Sequence, residues 1–233
     1  MFSNSTFATG QSPGTKTNDS ANAGNVGEYK SLVTKASNTT ASITCTSATP
    51  AVVTWTTHGL STGSAFYFTG TAPTGLVQLT TYYINVIDAN TFNVATTLAN
   101  LFAGTYVATS STGSGLTGFA GTNMATATAI DVGGLNLTAG DWDVSGNVVF
   151  NAAAGTTVSD IRAWLSTSPA SLPAVPLYQV EQTTFTTAGI QSLATPPTRV
   201  SLAATTPVSL SAYSAFAVST LNGSGIIQAW RAR

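Results

Sequence analysis

Residues 135–150 read LNLTAGDWDVSGNVVF, and the part from Asp141 onward decides the fold. Side chains of a strand alternate between its two faces, so Trp142, Val144, Gly146, Val148 and Phe150 fall on one side. Asp141, Asp143, Ser145 and Asn147 fall on the other. That is a half-buried β-strand, with TAGD (138–141) as the turn that feeds it. The two aspartates around an indole also invite a chemical reading. Carboxylates two residues apart on a strand lie ~6.5–7 Å apart, within the range of a glycosidase pair. Such an enzyme needs one carboxyl raised by burial, whereas two on a solvated face both stay ionised. The preferred reading is therefore a turn and a polar strand face. A metal or oligomer-interface role and catalysis stand as alternatives.

Working outward, the same texture repeats. Before this strand comes ATAIDVGGLNL (127–137). After it come TVSDIRAWLSTS (157–168), AVPLYQVEQTTFTT (174–187), GIQSLA (189–194), TRVSLAA (198–204), TPVSLSAYSAFAVST (206–220) and GIIQAWRAR (225–233). About eight strands at such spacing, with no helical period between them, predict a β-sandwich or jelly roll over 114–233. Upstream, SITCTS, AVVTWTT, SAFYFTG, TYYINVI, TFNVATT and TYVATSS are short runs rich in β-branched and aromatic residues, separated by turn signals. They predict a small β module over 42–113, in which INVIDANTFNVAT forms a hairpin with DAN at its tip. SSTGSGLTGFAGTN (110–123) reads as a linker or long loop. Residues 1–41 are too poor in apolar side chains to offset their own ordering entropy. They are expected to be an extended arm, ordered only by what it binds. The fold class predicted is all-β throughout.

Composition narrows the function. Charged residues are only 6% of the chain, against about 25% in an ordinary soluble domain. Polarity comes from hydroxyls and amides, so charge repulsion contributes little to solubility, and burial in an oligomer is one remedy. Seven basic and eight acidic residues leave no basic footprint for nucleic acid. Mean hydropathy is +0.22, yet no apolar run reaches the ~20 residues of a membrane helix. The start, MFSNSTFATGQSPGTK, lacks the basic and apolar regions of a secretory signal, so synthesis in a cytoplasm is expected. Cys45 has no partner cysteine and reads as a small buried hydrophobe. His58, the only histidine, reads as closing a backbone hydrogen bond in the turn HGL. Neither STGSG nor DANTF carries the residues of a phosphate loop or a calcium site. Four Trp and seven Tyr supply material for a sugar platform, although core packing is their commoner use in strands. No catalytic, cofactor-binding or metal-binding residues are assigned, and no cofactor is expected.

TKTNDSANAGNVGEYKSL (15–32), with LNLTAGDWDVSGNVVFNAAAGTTVSDIRAWLSTSPASLP (135–173), resembles a group of tailed-bacteriophage virion proteins. In that group a GEY element leads directly into a sandwich carrying the AGDWDV strand. Here the small module lies between the two, as an insertion. HGLSTGSAFYFTGTAPTGL (58–76) and TTYYINVIDANTFNVATT (80–97) are themselves similar to a small β domain of phage tail and fibre proteins. The resemblance implies a jelly-roll-like homotrimer on the particle surface: a head fibre, capsid decoration protein or tail fibre. It implies an arm docked on capsid, portal or tail proteins, assembly in the host cytoplasm, and no catalytic residues. Host surface glycan is a further partner to consider, and neither nucleic acid nor membrane insertion is expected. The alternatives are a carbohydrate-binding module or adhesin and, ranked last, a glycan depolymerase using Asp141 and Asp143.

Overall fold

In the computed structural model the first strand, β1 (Tyr29–Val33), already belongs to the C-terminal sandwich. The residues described are 21–37, 39–168, 170–173, 179–181, 185–186 and 189–232. After β1 the chain leaves the sandwich and builds a seven-stranded antiparallel sheet. Its strands are β2 (Thr40–Ser42), β3 (Thr44–Cys45), β4 (Val53–Thr54), β5 (Ala65–Thr71), β6 (Tyr82–Val86), β7 (Thr91–Ala95) and β8 (Ser114–Ala120), in the order β2-β8-β5-β6-β7-β4-β3. A five-residue helix, α1 (Leu98–Phe102), follows β7, and the Thr97 hydroxyl caps it by accepting from the Asn100 amide at 3.0 Å. The chain then re-enters the sandwich at β9 (Thr122–Met124), which pairs with the last strand. The module is thus inserted between two strands of one sandwich sheet.

The sandwich is completed by β10 (Thr128–Leu137), β11 (Gly140–Ala152), β12 (Thr157–Ser166), β13 (Gln179–Glu181), β14 (Phe185–Thr186), β15 (Gly189–Ala194), β16 (Thr198–Leu202), β17 (Thr206–Ala217) and β18 (Leu221–Arg231). One sheet runs β1-β18-β11, with β15 and β16 sharing the far edge of β11. The other runs β10-β17-β12, with β13 and β14 sharing the edge of β12. The core between them holds Trp142, Val144, Val148 and Phe150 of β11 against Val208, Leu210 and Ala212 of β17. The protein is an all-β, jelly-roll-like sandwich with an inserted β module, and the alternation read in 141–150 is the one observed.

Three readings meet a different outcome. Residues 110–123, read as a linker, carry β8 and the start of β9. Their inward positions are Leu116, Gly118 and Ala120, small residues that hide the alternation. A Cβ on Gly118 would lie 2.9–3.1 Å from Ile43, Phe66 and Trp55, so the ring packing of the module admits only glycine there. TYVATSS (105–111) contains no strand. It runs beside the sheet on single bonds, such as Val107 N–H to Val94 O at 2.8 Å and Ala51 N–H to Val107 O at 2.9 Å. Residues 29–33 and 40–41, read as part of the arm, belong to strands of the two sheets, β1 and β2. What orders them is the chain's own ladder, helped by Leu32, which is buried in the sandwich core. Most of AVPLYQVEQTTFTT lies outside the described residues, and residues 1–20 do so entirely.

The module is fastened to the sandwich through a small apolar cluster of Ala65, Tyr83, Ala95, Leu98 and Leu101. Tyr83 donates its hydroxyl to the Asp131 carbonyl at 2.9 Å. The Gly133–Gly134 pair permits this contact. A Cβ at Gly134 would sit 2.7 Å from Leu98 Cδ1, and the Gly134 amide donates to the Gly63 carbonyl at 3.2 Å. His58 is fully enclosed: its Nδ1 accepts from the Leu60 amide at 2.9 Å and its Nε2 lies 2.9 Å from the Asp88 carbonyl. Because a carbonyl only accepts, Nε2 carries the proton and both ring nitrogens are used by the backbone. The HGL turn is thereby tied to the DAN hairpin tip, where the Asp88 carboxylate accepts from the Asn90 and Thr91 amides at 2.7 and 2.8 Å. His58→Ala strands both backbone groups and is expected to destabilise the protein by about 2–3 kcal/mol, read from urea midpoints.

Candidate functional site

The GEY and AGDWDV elements, more than a hundred residues apart in the chain, meet at one end of the six-stranded sheet. β1, β11 and β16 are tied to β18 or to each other in register, so Tyr29 faces Trp230, Trp230 faces Asp143, and Asp143 faces Arg199. Strand alternation then splits the elements. Glu28, Trp142 and Arg231 turn inward, while Tyr29, Asp143 and Trp230 turn out.

On the inner side Glu28 and Arg231 are 4% and 5% exposed and form an ion pair of 2.9 Å. The Arg231 guanidinium also donates to the Ala139 carbonyl at 2.7 Å and to the Thr138 hydroxyl, and lies 4.4 Å above the Trp142 ring. Trp142 donates its indole N–H to the Thr138 carbonyl at 2.9 Å. Lys30 stands 3.7 Å from Glu28 and 5.8 Å from the same ring. Burial pushes the Glu28 carboxyl up. The Gly24 amide, the Arg231 guanidinium and the Lys30 ammonium more than offset that push, and hold it below the ordinary value of 4.5. This is a structural clamp that binds residues 24–30 to the sandwich.

The outer side is open. Asp143 and Arg199 make a two-pronged ion pair of 2.5 and 2.8 Å, with about half of each side chain exposed. Trp230 is 42% exposed, its ring centroid 5.0 Å from that of Tyr29. The Gln228 amide donates to the Tyr29 hydroxyl at 2.8 Å and fixes that ring. Trp230, Asp143, Arg199, Ser145 and Thr198 border a shallow cavity of about 630 Å³.

The aspartates flagged in the sequence therefore do share a face, as alternation requires, but Asp143 is committed to Arg199. The hydrogen bonds from Arg199 hold the Asp143 carboxyl below its ordinary range, opposed in part by the charge of Asp141. Neither fact suits the protonated acid of a glycosidase pair. An acid that is pushed up, by burial, is Asp131, which lies 2% exposed against Ser211 Oγ (2.6 Å) and the Ala170 amide (3.0 Å). Sequence reasoning did not single it out. Cys45 is buried in β3, and burial raises its thiol pKa. Trp55, Trp142 and Trp164 are buried, which leaves Trp230 as the tryptophan that meets solvent. Among the described residues no three His, Cys, Asp or Glu side chains gather as metal ligands, and no helix is long and apolar enough to cross a membrane.

No family model and no curated protein matches the chain. Among solved structures it is similar to a chain in the structure of infectious bursal disease virus, Gx strain, at 11% identity and a TM-score of 0.29, covering 87% of this chain and 73% of that one. It is also similar to a mutant VP2 protein of the same virus from T=1 particles, at 10% identity and a TM-score of 0.29, covering 85% of this chain and 55% of that one. Both neighbours are viral capsid proteins of β fold.

Proposed function

We propose that this chain is a non-enzymatic structural protein of a tailed-bacteriophage virion, assembled as a homotrimer in the host cytoplasm. Its N-terminal residues dock on capsid or tail proteins, and its β modules project outward to stabilise the particle or touch the host surface. The observation that carries this reading is the open outer face of the six-stranded sheet. Beyond the Asp141 and Asp143–Arg199 end, the outward residues of its strands are uncharged. They include Val33 (62% exposed), Ile190 (69% exposed), Ile226 and Val149. A broad, chargeless sheet face with exposed β-branched side chains suits burial against copies of itself, which also shields strand edges. The sequence resemblance to trimeric virion proteins points the same way. No catalytic role is proposed for Asp141 or Asp143.

Size-exclusion chromatography with light scattering is expected to give three times the chain mass of 23.6 kDa. A monomer at micromolar concentration overturns the homotrimer. A density for this chain on the particle surface, in an electron-microscopy map of the phage, is the expected outcome for its location. The adhesin reading keeps one specific support, the exposed Trp230.

A further inference from the structure

We propose that the row Tyr29–Trp230–Asp143–Arg199 is a binding site for a neutral hexopyranose unit of a surface glycan. The site names the host-surface partner of the virion reading above, and it rests on that reading only for where such a glycan is met.

The chemistry follows from the four side chains. A pyranose presents a face of C–H groups and a rim of hydroxyls. An indole supplies a flat apolar surface of negative potential that suits the first. One side of the Trp230 indole is supported by Tyr29, itself held by Gln228, and the indole also borders the 630 Å³ cavity. Across the cavity the Asp143 carboxylate accepts and the Arg199 guanidinium donates, so hydroxyls of either polarity find partners. The row covers three strand spacings, ~14–15 Å, long enough for a short oligosaccharide.

Charge selects the class of sugar. Asp143 neutralises Arg199 in a two-pronged pair, so the row itself carries no net charge. An acidic sugar would give up hydration of its carboxylate there without gaining a free cation, which leaves neutral hexoses favoured. The platform is also held before any ligand arrives. Trp230 is followed directly by Arg231, whose inward side chain is fixed by Glu28, Thr138 and Ala139, so little ordering remains to be done on binding. A second copy of the chain is the competing occupant. Its better surface lies elsewhere, at Val33 and Ile226, ~13–14 Å along the strands from the aromatic pair.

The test uses the full-length protein. It is applied to an array of neutral and acidic oligosaccharides, and the free form of the strongest neutral ligand is then titrated by calorimetry and tryptophan fluorescence. Neutral hexose glycans are expected to bind in preference to acidic ones. Trp230→Ala is expected to weaken binding tenfold or more, and Arg199→Ala to weaken it measurably, with the circular dichroism and oligomeric state of both unchanged. Acrylamide is expected to quench one tryptophan class, lost in Trp230→Phe. The site is overturned by an array with no neutral ligand, by full binding in Trp230→Ala, or by an unquenchable Trp230, which would mean that another copy covers it. A trimer that binds no glycan sinks this site and leaves the virion reading standing.

Discussion

Arg231→Met is expected to cost the fold about 3–5 kcal/mol, because it removes one member of a buried ion pair and leaves the other behind. Methionine keeps much of the apolar stem over Trp142. What disappears is the guanidinium that meets Glu28, Ala139 and Thr138. Glu28 is then a buried carboxylate facing only the Gly24 amide, at 2.7 Å, and the Lys30 ammonium, at 3.7 Å. The pH dependence separates this explanation from simple loss of packing. In the wild type the Glu28 carboxyl sits below its ordinary value of 4.5. Its contribution is therefore fully present above that value and is lost as pH falls through the lower folded value. Without Arg231, burial dominates and the folded carboxyl rises. Protonation of Glu28 then relieves the variant, and its deficit against wild type narrows in acid. Urea midpoints at neutral pH and below 4.5 measure both effects. A deficit independent of pH would assign the loss to packing instead. Glu28→Gln in the Arg231→Met background should recover part of the stability at neutral pH, since no charge is then buried.

The contrast between what the chain disclosed in advance and what it withheld has a physical cause. The strand at 141–150 was legible because each residue obeys a two-residue period, with large apolar groups inward. β8 was not, because Gly118 fills a position where only a hydrogen fits between Ile43, Phe66 and Trp55. TYVATSS had the composition of a strand but lacks a partner for a continuous ladder. The candidate site was half legible. Asp143 was flagged by its neighbour Trp142, and Trp230 as one of four tryptophans. Their juxtaposition with Tyr29 and Arg199 is set by the pairing of β1, β18, β11 and β16, which no local pattern reveals. One signal was available. In a chain with so few charges, Glu28 just before β1 and Arg231 at the end of β18 are ions at the margins of two strands that pair with each other. Such ions call for each other.

Trp142→Ala is the second large effect, and it tests whether the AGDWDV element serves the arm as well as the core. Removing a fully buried indole from the sandwich is expected to cost about 3–5 kcal/mol. Much of that is cavity and lost burial, and it would follow for any core tryptophan. The specific consequence lies in the ring's other contacts. Arg231 and Lys30 lie over it at 4.4 and 5.8 Å, so its loss removes the surface on which both cations rest. Glu28 is held by those same cations, and residues 24–28 have few apolar anchors of their own. Amide exchange should therefore rise most at Gly27 and Arg231, whose N–H groups donate to the Arg231 and Glu28 carbonyls at 2.9 Å. Ser192 and Val149, farther along the sandwich, should change only with global stability. Trp142→Phe retains the ring face but strands the Thr138 carbonyl, and a loss of about 1–3 kcal/mol is expected, with exchange at Gly27 close to wild type. If Gly27 and Arg231 instead exchange no faster than the rest of the sheet in Trp142→Ala, the indole is core filling only. The GEY segment would then owe its place to the ladder of β1 on β18 and to the ion pair alone.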